Sequence, residues 1–199
     1  MVNEVCDFIQ LAVPGVRGLA PYEPGKPIEE LRREYGVAEV IKLASNENPL
    51  GPSPRAMEAA AEALKESHRY PDGNGFELKA AIAERHQVDP QRVTLGNGSN
   101  DVLALVAQTF LEPGRKAVFA EHSFAVYPIV TQAAGATALV APAFDAEAAQ
   151  PRGHDLAAMG ELLDDSVAVV FVANPNNPTG TWLEELELRS FLERVPAGT

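Results

Sequence analysis

The chain has 199 residues, of which 46% are hydrophobic, and its 16 basic and 28 acidic side chains give a formal net charge of −12. This is enough apolar material for the core of one domain, or of one domain and part of a second. An acidic chain lacks the positive surface that nucleic acids and anionic membranes require, so we expect neither partner.

Targeting signals and covalent cross-links are not expected. No apolar run is long enough to span a bilayer, and the first residues lack the basic-then-apolar pattern of a leader, so the sequence predicts a cytoplasmic protein. Cys6 is the single cysteine. A disulfide within the chain is therefore excluded, and with no base nearby we interpret Cys6 as inert.

The first part of the chain, residues 1–48, is rich in Pro and Gly, which interrupt long elements. We interpret it as an arm that must pack on another surface. A short helix is predicted at Ile28–Tyr35, where Gly36 would end it. Pro54 opens a second predicted helix, and a third is predicted at Phe76–His86.

From residue 93 onward, short apolar runs alternate with helical stretches. The predicted strands are Val93–Leu95, Ala117–Ala120, Ala138–Val140 and Val167–Ala173. The predicted helices are Asp101–Leu111, Phe124–Ala134, Leu156–Leu163 and Leu183–Val195. This alternation predicts an α/β fold with a mostly parallel sheet flanked by helices. The last strand is apolar throughout, as in a strand buried on both faces. Ala143–Gly153 reads as a polar, loosely held loop.

The glycine-rich segment Gly96–Asp101 follows a predicted strand and opens a helix. The free N–H groups of a helix N-terminus suit a phosphate, and glycines allow an anion to approach the backbone. An ordinary capped turn, with Ser99 as the N-cap, explains the segment equally well. The spacing matches neither the dinucleotide fingerprint nor a P-loop.

A second candidate is Asn174–Gly180 (Asn-Pro-Asn-Asn-Pro-Thr-Gly), at the carboxyl end of the most apolar strand. Ligands in open α/β sheets bind outside the carboxyl ends of the strands. The two X-Pro bonds predict a rigid turn, in which an Asn amide can donate to a ligand oxygen. A stiff surface loop is the alternative.

Aromatic and histidine side chains give weaker signals. Phe124 and Tyr127 follow a strand, so either ring is placed to stack on a flat ligand, although core packing explains both. Tyr70 lies in a turn and is expected to be exposed. The four histidines have no metal-ligand spacing, so no metal site is predicted.

Four blocks in order, Lys42–Gly51, Tyr70–Asp72, Gly96–Asp101 and Asn174–Gly180, resemble those of the pyridoxal-phosphate aminotransferases of fold type I. Among these, the histidinol-phosphate aminotransferases are the most similar, since they also share the arm from Pro14 to Tyr22. The resemblance covers essentially the whole chain. It implies transamination between L-histidinol phosphate or imidazole acetol phosphate and glutamate or 2-oxoglutarate, in histidine biosynthesis.

The resemblance also implies roles for particular residues. Ser99 and Asn100 would hold the cofactor phosphate through backbone N–H groups, and Phe124 would stack on the pyridine ring, where the family often has Tyr. Asn177 would hydrogen-bond the ring hydroxyl, beside a cis Pro178. Tyr70 would reach the cofactor phosphate of the other subunit in a homodimer with shared sites. Tyr22 and Asn46 would lie near the substrate.

The family's Schiff-base lysine, its pyridine-pairing aspartate and its substrate-binding arginines are implied to lie beyond Thr199. None of the five lysines lies in the family's Ser-x-x-Lys-like context. We therefore interpret residues 1–48 as the arm and a small-domain segment, and 49–199 as an incomplete cofactor-binding large domain. Alone, the chain is expected to bind the cofactor poorly and not to transaminate.

Other functions remain open at this point. An aromatic amino-acid aminotransferase or a threonine-phosphate decarboxylase of the same fold shares the four blocks. From another class, a non-catalytic nucleotide-binding α/β module is compatible with a glycine-rich turn on a parallel sheet. A catalytically dead remnant that only dimerises is a further alternative.

Overall fold

The computed structural model describes residues 7–199, so Cys6, interpreted above as inert, lies outside the described residues. The helices are α1 Phe8–Leu11, α2 Ile28–Tyr35, α3 Pro54–Ala63, α4 Phe76–His86, α5 Ser99–Phe110, α6 Val126–Ala133, α7 Leu156–Glu161 and α8 Glu185–Leu192. The strands are β1 Lys116–Ala120, β2 Thr137–Ala141 and β3 Val167–Val170. Short 3₁₀ turns occupy Pro14–Val16, Leu64–Glu66 and Pro90–Arg92.

The described chain packs as two compact units. The sheet unit consists of residues 7–22 and 96–199, and the helical unit consists of residues 23–95. The predicted division of the chain after residue 48 stays a prediction.

The sheet unit contains a parallel three-stranded sheet in the order β2-β1-β3. β1 pairs in register with β2, from Lys116 opposite Thr137 to Ala120 opposite Ala141, and with β3 on its other side. Helices connect the parallel strands, α6 from β1 to β2 and α7 from β2 to β3. The predicted α/β class with a parallel sheet between helices is confirmed.

Two apolar clusters cover the faces of this sheet. One joins α5 and α6 to the sheet through Ala107, Phe119, Tyr127 and Phe171. The other joins α7 and α8 to the opposite face, with Met159 at its centre, fully buried. Because β1 lies between both clusters, its last four residues are all buried.

The arm packs on the sheet unit at one close contact. A Cβ on Gly15 would overlap the carbonyl oxygen of Gln132 and would lie 2.9 Å from the Ala133 oxygen and the Gly135 nitrogen. Only a glycine allows the 3₁₀ turn to approach the end of α6 this closely. This contact involves only the part of the arm that belongs to the sheet unit, and the interpretation of residues 1–48 as an arm stays a prediction.

The helical unit contains α2, α3 and α4. As predicted, α2 ends at Gly36, which adopts the left-handed conformation with φ of 63°. Ser53 accepts a hydrogen bond from the Ala56 N–H and caps α3, whose first residue is Pro54. α4 has the predicted bounds. Local signals of this kind determine helix ends without help from distant residues.

Three sequence predictions are corrected. Val93–Leu95 forms no strand, because no described strand pairs with it. β3 ends at Val170 instead of Ala173. It has one neighbour among the described strands, and it leaves the ladder after Phe171 donates to the Val118 carbonyl. The segment Ala143–Gly153 is closed by backbone hydrogen bonds between Phe144 and Gly153 and between Arg152 and Phe144, so it is not loosely held.

Candidate functional site

The candidate site lies at the edge of the sheet where β1 and β3 end. These strands are adjacent and parallel, so the segments that leave their carboxyl ends begin side by side. We call residues 121–125 the β1 loop and residues 171–184 the β3 loop. The first contains Phe124, and the second contains the predicted Asn174–Gly180 motif.

The β3 loop is attached to the β1 loop by the side chain of Asn176, which is 4% exposed. Its Nδ2 donates to the carbonyl oxygen of His122 at 2.9 Å and to Oγ1 of Thr179 at 2.7 Å. Its backbone N–H donates to the Thr181 carbonyl at 2.7 Å, and its carbonyl accepts from the Gly180 N–H at 2.9 Å. The turn is thus both closed on itself and joined to the neighbouring loop.

Phe124 lies at the surface of the apolar cluster that α5 and α6 form with the sheet. It is half-buried and packs against that cluster. Its ring meets Tyr127 edge-on, with centroids 6.0 Å apart, and meets Tyr22 of the arm edge-on at 6.2 Å. A ring held by two aromatic neighbours, yet partly exposed, is suited to stack on a flat ligand.

Tyr127, the other aromatic candidate, belongs to the core. It is buried and stacks on Phe171, with ring centroids 4.6 Å apart and planes within 8°. Burial raises the pKa of its phenol, because the ionised form would lose its hydration. The structure therefore separates two residues that sequence reasoning treated alike.

The 12-residue helix α5 packs against α6 and β3, and residues 111–115 join its end to the start of β1. Leu103, one turn beyond Ser99, packs against the same cluster as Phe124. Ser99 and Asn100 are both exposed there.

The prediction of Ser99 as the N-cap is wrong, although the ordinary-turn alternative itself is not tested by this. The N-cap is Gly98, in the positive-φ region at 78°, and no described side chain caps the helix there. Ser99 and Asn100 are the first helical residues, so their N–H groups are among those that lack an intrahelical acceptor. Asp101 accepts from the Asn97 N–H at 3.0 Å and holds the preceding turn.

Asn177 follows Asn176 in the β3 loop and is half-buried. The peptide bond between Asn177 and Pro178 is cis, as the resemblance implied, and so is the bond between Asn174 and Pro175. The structure therefore joins the loops that carry Phe124 and Asn177 and places Tyr22 beside Phe124. Ser99 and Asn100 lie about one helical turn before Leu103, which packs against the same apolar cluster as Phe124, and their predicted role stays a prediction.

Tyr70 and Asn46 belong to the helical unit, and their predicted roles stay predictions. Tyr70 is fully exposed, as expected. Two residues later, Asp72 accepts hydrogen bonds from the Phe76 and Asn74 N–H groups, which lower the pKa of its carboxyl group. Asn46 has a left-handed backbone with φ of 51°.

Two buried polar side chains near the site were missed. One is Asn176. The other is His154, which is 3% exposed and bonds through Nε2 to the Ala173 carbonyl at 3.1 Å. Burial lowers the pKa of this imidazole, although the hydrogen bond partly opposes that effect. Because a carbonyl oxygen can only accept, Nε2 carries the proton. Neither residue has a local sequence signal, since burial depends on distant segments.

A cavity of about 740 Å³ lies in the sheet unit and borders the end of the β3 loop. Phe144, Trp182 and Arg194 contribute to its walls, and none of the predicted site residues does. Among residues 7–199, no cluster of His, Cys, Asp or Glu could hold a metal ion. Nor does that part of the chain contain a helix long and apolar enough to cross a membrane.

Comparison with known proteins bears on this geometry. The family model described as aminotransferase class I and II matches residues 38–198. Histidinol-phosphate aminotransferase 2 of Methylococcus capsulatus is 60% identical over 186 residues, which cover 94% of this chain and 50% of that protein. The enzyme of the same name from Pseudomonas aeruginosa is 59% identical over 193 residues, or 96% of this chain and 51% of that protein. The chain thus spans about half the length of these curated relatives.

A solved structure has the same fold. The histidinol-phosphate aminotransferase of Sinorhizobium meliloti, crystallised in complex with pyridoxal-5′-phosphate, superposes with a TM-score of 0.80 at 23% identity. The match covers 94% of this chain and 48% of that one. Aspartate aminotransferase from Thermus thermophilus, with maleate, superposes with a TM-score of 0.73 over 83% of this chain.

Proposed function

The chain belongs to the aminotransferase class I and II family, and from this premise we propose that it is the cofactor-binding part of a transaminase that uses pyridoxal 5′-phosphate. The full-length protein would exchange an amino group between L-histidinol phosphate or imidazole acetol phosphate and glutamate or 2-oxoglutarate, in histidine biosynthesis. The observation that carries this proposal is 60% identity over 94% of the chain to a protein described as histidinol-phosphate aminotransferase 2.

Three features support the fit of a flat, phosphate-bearing cofactor at the sheet edge. The start of α5 has no capping side chain, and a Cβ at Gly98 would meet nothing within 4 Å, so the backbone there is open to an anion. Phe124 offers a partly exposed ring on a packed base. Asn177 is half-buried on the β3 loop, which the buried Asn176 joins to the β1 loop that carries Phe124.

Each residue has a distinct task in this proposal. The N–H groups of Ser99 and Asn100 bind the phosphate, where the helix N-terminus favours negative charge. Phe124 stacks on the pyridine ring and, having no hydroxyl, fixes its plane without donating a hydrogen bond. The side-chain amide of Asn177 donates to the ring hydroxyl oxygen. When bound, pyridoxal phosphate supplies the electron sink for breaking bonds at the substrate carbon.

The substrate and the second subunit involve the arm and the helical unit. Tyr22 lies beside Phe124 and would contact the substrate next to the cofactor ring. Asn46 would contribute from the loop after the arm, and Tyr70 would bind the phosphate in the partner subunit of a homodimer. Full exposure of the Tyr70 ring supports a role outside its own unit. A cytoplasmic location is part of the same proposal.

The lysines of this chain support the expectation that it does not transaminate alone. Lys116 is the single lysine of the sheet unit. It begins β1, at the end of the strand opposite the site, and pairs with Asp164 at 2.7 Å. That ion pair and the Ser166 hydrogen bonds hold the pKa of the Asp164 carboxyl well below its usual range. An amine at the carboxyl edge would have to come from outside the sheet unit.

The test is an amino-transfer assay on the full-length protein, with L-histidinol phosphate and 2-oxoglutarate as substrates and glutamate as the measured product. We expect transfer to be faster than with L-phenylalanine as donor, and to fall in Asn177→Ala. A preference for phenylalanine would identify the aromatic aminotransferase, and release of CO₂ from O-phosphothreonine the decarboxylase. Nucleotide binding in a calorimeter, without any for pyridoxal phosphate, would favour the non-catalytic module.

A further inference from the structure

Among residues 7–199, the side chain of Asn176 makes the hydrogen bond that joins the two loops carrying the proposed cofactor residues. On the β3 loop it directly precedes Asn177. On the β1 loop its acceptor, His122, lies two residues before Phe124. The bond therefore joins Asn176, which is next to the proposed ring-hydroxyl donor, to His122, which is two residues from the proposed stacking ring.

The hydrogen bonding of Asn176 is unequal between its two polar atoms. Nδ2 makes two donor bonds, whereas Oδ1 is buried and has no partner among the described residues. Leaving a buried acceptor unsatisfied costs free energy, so an amide here is a poor choice for stability alone. What the amide supplies is donation in two directions, to the His122 carbonyl and to Thr179.

We propose that Asn176 is a positioning residue, which fixes the separation of the β1 and β3 loops so that Phe124 and Asn177 engage one cofactor ring together. This inference rests on the proposed function. Asn176 itself acts only through its neighbours. A binding site whose contacts come from two loops loses affinity when the loops move independently. The ligand must then order both loops as it binds, and this ordering costs free energy.

Asn174 offers a matched control in the same loop. Its side chain also makes two hydrogen bonds, since Oδ1 accepts from the Leu183 N–H at 3.0 Å and Nδ2 donates to the Leu183 carbonyl at 3.1 Å. Both bonds stay within the β3 loop. Asn174→Asp and Asn176→Asp therefore remove the same donor group, but only the second removes a connection to the β1 loop.

The experiment uses the 199-residue chain and two-dimensional NMR. The backbone amide resonances of the β1 loop are compared between wild type, Asn176→Asp and Asn174→Asp without ligand. Each protein is then titrated with pyridoxine 5′-phosphate, which has the ring, hydroxyl and phosphate of the cofactor but no aldehyde to react with lysines. Asn176→Ser, which is uncharged and too short to reach His122, is measured in parallel in case the buried carboxylate unfolds the chain.

We expect both Asn176 variants to shift the amides of residues 121–125 and to weaken pyridoxine 5′-phosphate binding about tenfold, which corresponds to the loss of one ordinary hydrogen bond. Asn174→Asp should shift only the β3 loop and keep the wild-type affinity. Unchanged β1-loop resonances in Asn176→Asp and Asn176→Ser, or equal loss of affinity in Asn174→Asp, would overturn the positioning role. If the loops are coupled but pyridoxine 5′-phosphate shifts other amides of the wild type and leaves those of Ser99, Phe124 and Asn177 unchanged, the proposed cofactor site itself is wrong.

Discussion

The sheet unit and the helical unit differ sharply in how much apolar surface they bury. All but one of the buried hydrophobic residues lie in the sheet unit, and the exception is Ala83 in α4. The helical unit leaves Ile41, Leu43 and Leu50 at least 86% exposed. Both units contain helices with clear sequence signals, so the difference shows that regular helices do not by themselves imply a core.

Local interactions account for the order within the helical unit. Its helices have a Gly36 stop, a Ser53 cap and surface ion pairs such as Lys65 with Glu62 at 2.5 Å. Such contributions are individually small, whereas burial of apolar side chains provides most of the stability of a domain. We therefore expect the free energy of unfolding to be concentrated in the sheet unit.

The largest expected effect contrasts two methionines, each on a helix. Met159→Ala removes a fully buried side chain from the α7 and α8 cluster and should lower the free energy of unfolding by about 2–5 kcal/mol. Met57→Ala changes a residue of α3 that is 57% exposed, and we expect less than about 0.5 kcal/mol. Urea denaturation of both variants is the measurement. Equal losses would refute the contrast between the units.

A second comparison uses two glycines. Gly15→Ala places a Cβ against the Gln132 carbonyl and should cost roughly 1–3 kcal/mol, because backbone has to move. Gly73→Ala in the helical unit meets open space, so its melting temperature should match or slightly exceed that of wild type. Thermal unfolding followed by circular dichroism decides this. A tolerated alanine at residue 15 would show that the arm is not closely packed.

The pH dependence of stability tests a buried group of the sheet unit. The pKa of His154 is lowered from 6.5 in the folded chain, so the unfolded chain binds this proton more readily. The free energy of unfolding therefore contains the full contribution of the neutral imidazole above about pH 7, and this contribution is lost as the pH falls through 6.5. Melting temperatures measured from about pH 8 to pH 5 should fall less in His154→Gln than in wild type. The exposed His68, changed to Gln, serves as control, and an identical slope in His154→Gln would contradict the assignment.

The smallest effect is expected for a surface ion pair. Lys65→Ala removes the contact with Glu62, whose side chain is 74% exposed while that of Lys65 is 68% exposed. Solvent and salt screen such a pair, so the change in unfolding free energy should stay below about 0.5 kcal/mol. Urea denaturation at low and high salt measures it. A loss comparable to that of Met159→Ala would mean that charge pairs, and not core burial, hold the helical unit.

Much of the local structure was predictable because its signals lie close together in sequence. The predicted bounds of α2 and α4 agree with the structure, since Gly36 and the apolar spacing of α4 act within a few residues. The apolar run at Val167–Ala173 correctly indicated a buried strand. Its length was wrong, because β3 pairs with β1 only as far as Val170, opposite Val118, although β1 continues to Ala120.

The candidate site was predictable as a set of motifs but not as a geometry. The sequence pointed to Ser99, Phe124 and Asn177 through strand ends and through the family resemblance, but it assigned no role to Asn176. The structure separates these neighbours, since Asn176 is buried and bonded to His122, 54 residues away in sequence, while Asn177 stays half-buried. A contact between residues so far apart in the chain produces no periodic pattern in the sequence from which it could be predicted.

By itself, the sequence determined the bounds of α2 and α4, the approximate positions of the other predicted helices and of β1 to β3, and the order of the four blocks that identify the family, since each depends on residues within a few positions of one another. Only the tertiary structure decided that β1 lies between β2 and β3, that Tyr127 belongs to the core while Phe124 stays accessible, and that the two loops are joined through Asn176. The physical reason is that strand pairing, burial and loop-to-loop hydrogen bonds are properties of segments brought together by folding, and the free energy that selects them is shared among residues far apart in the chain.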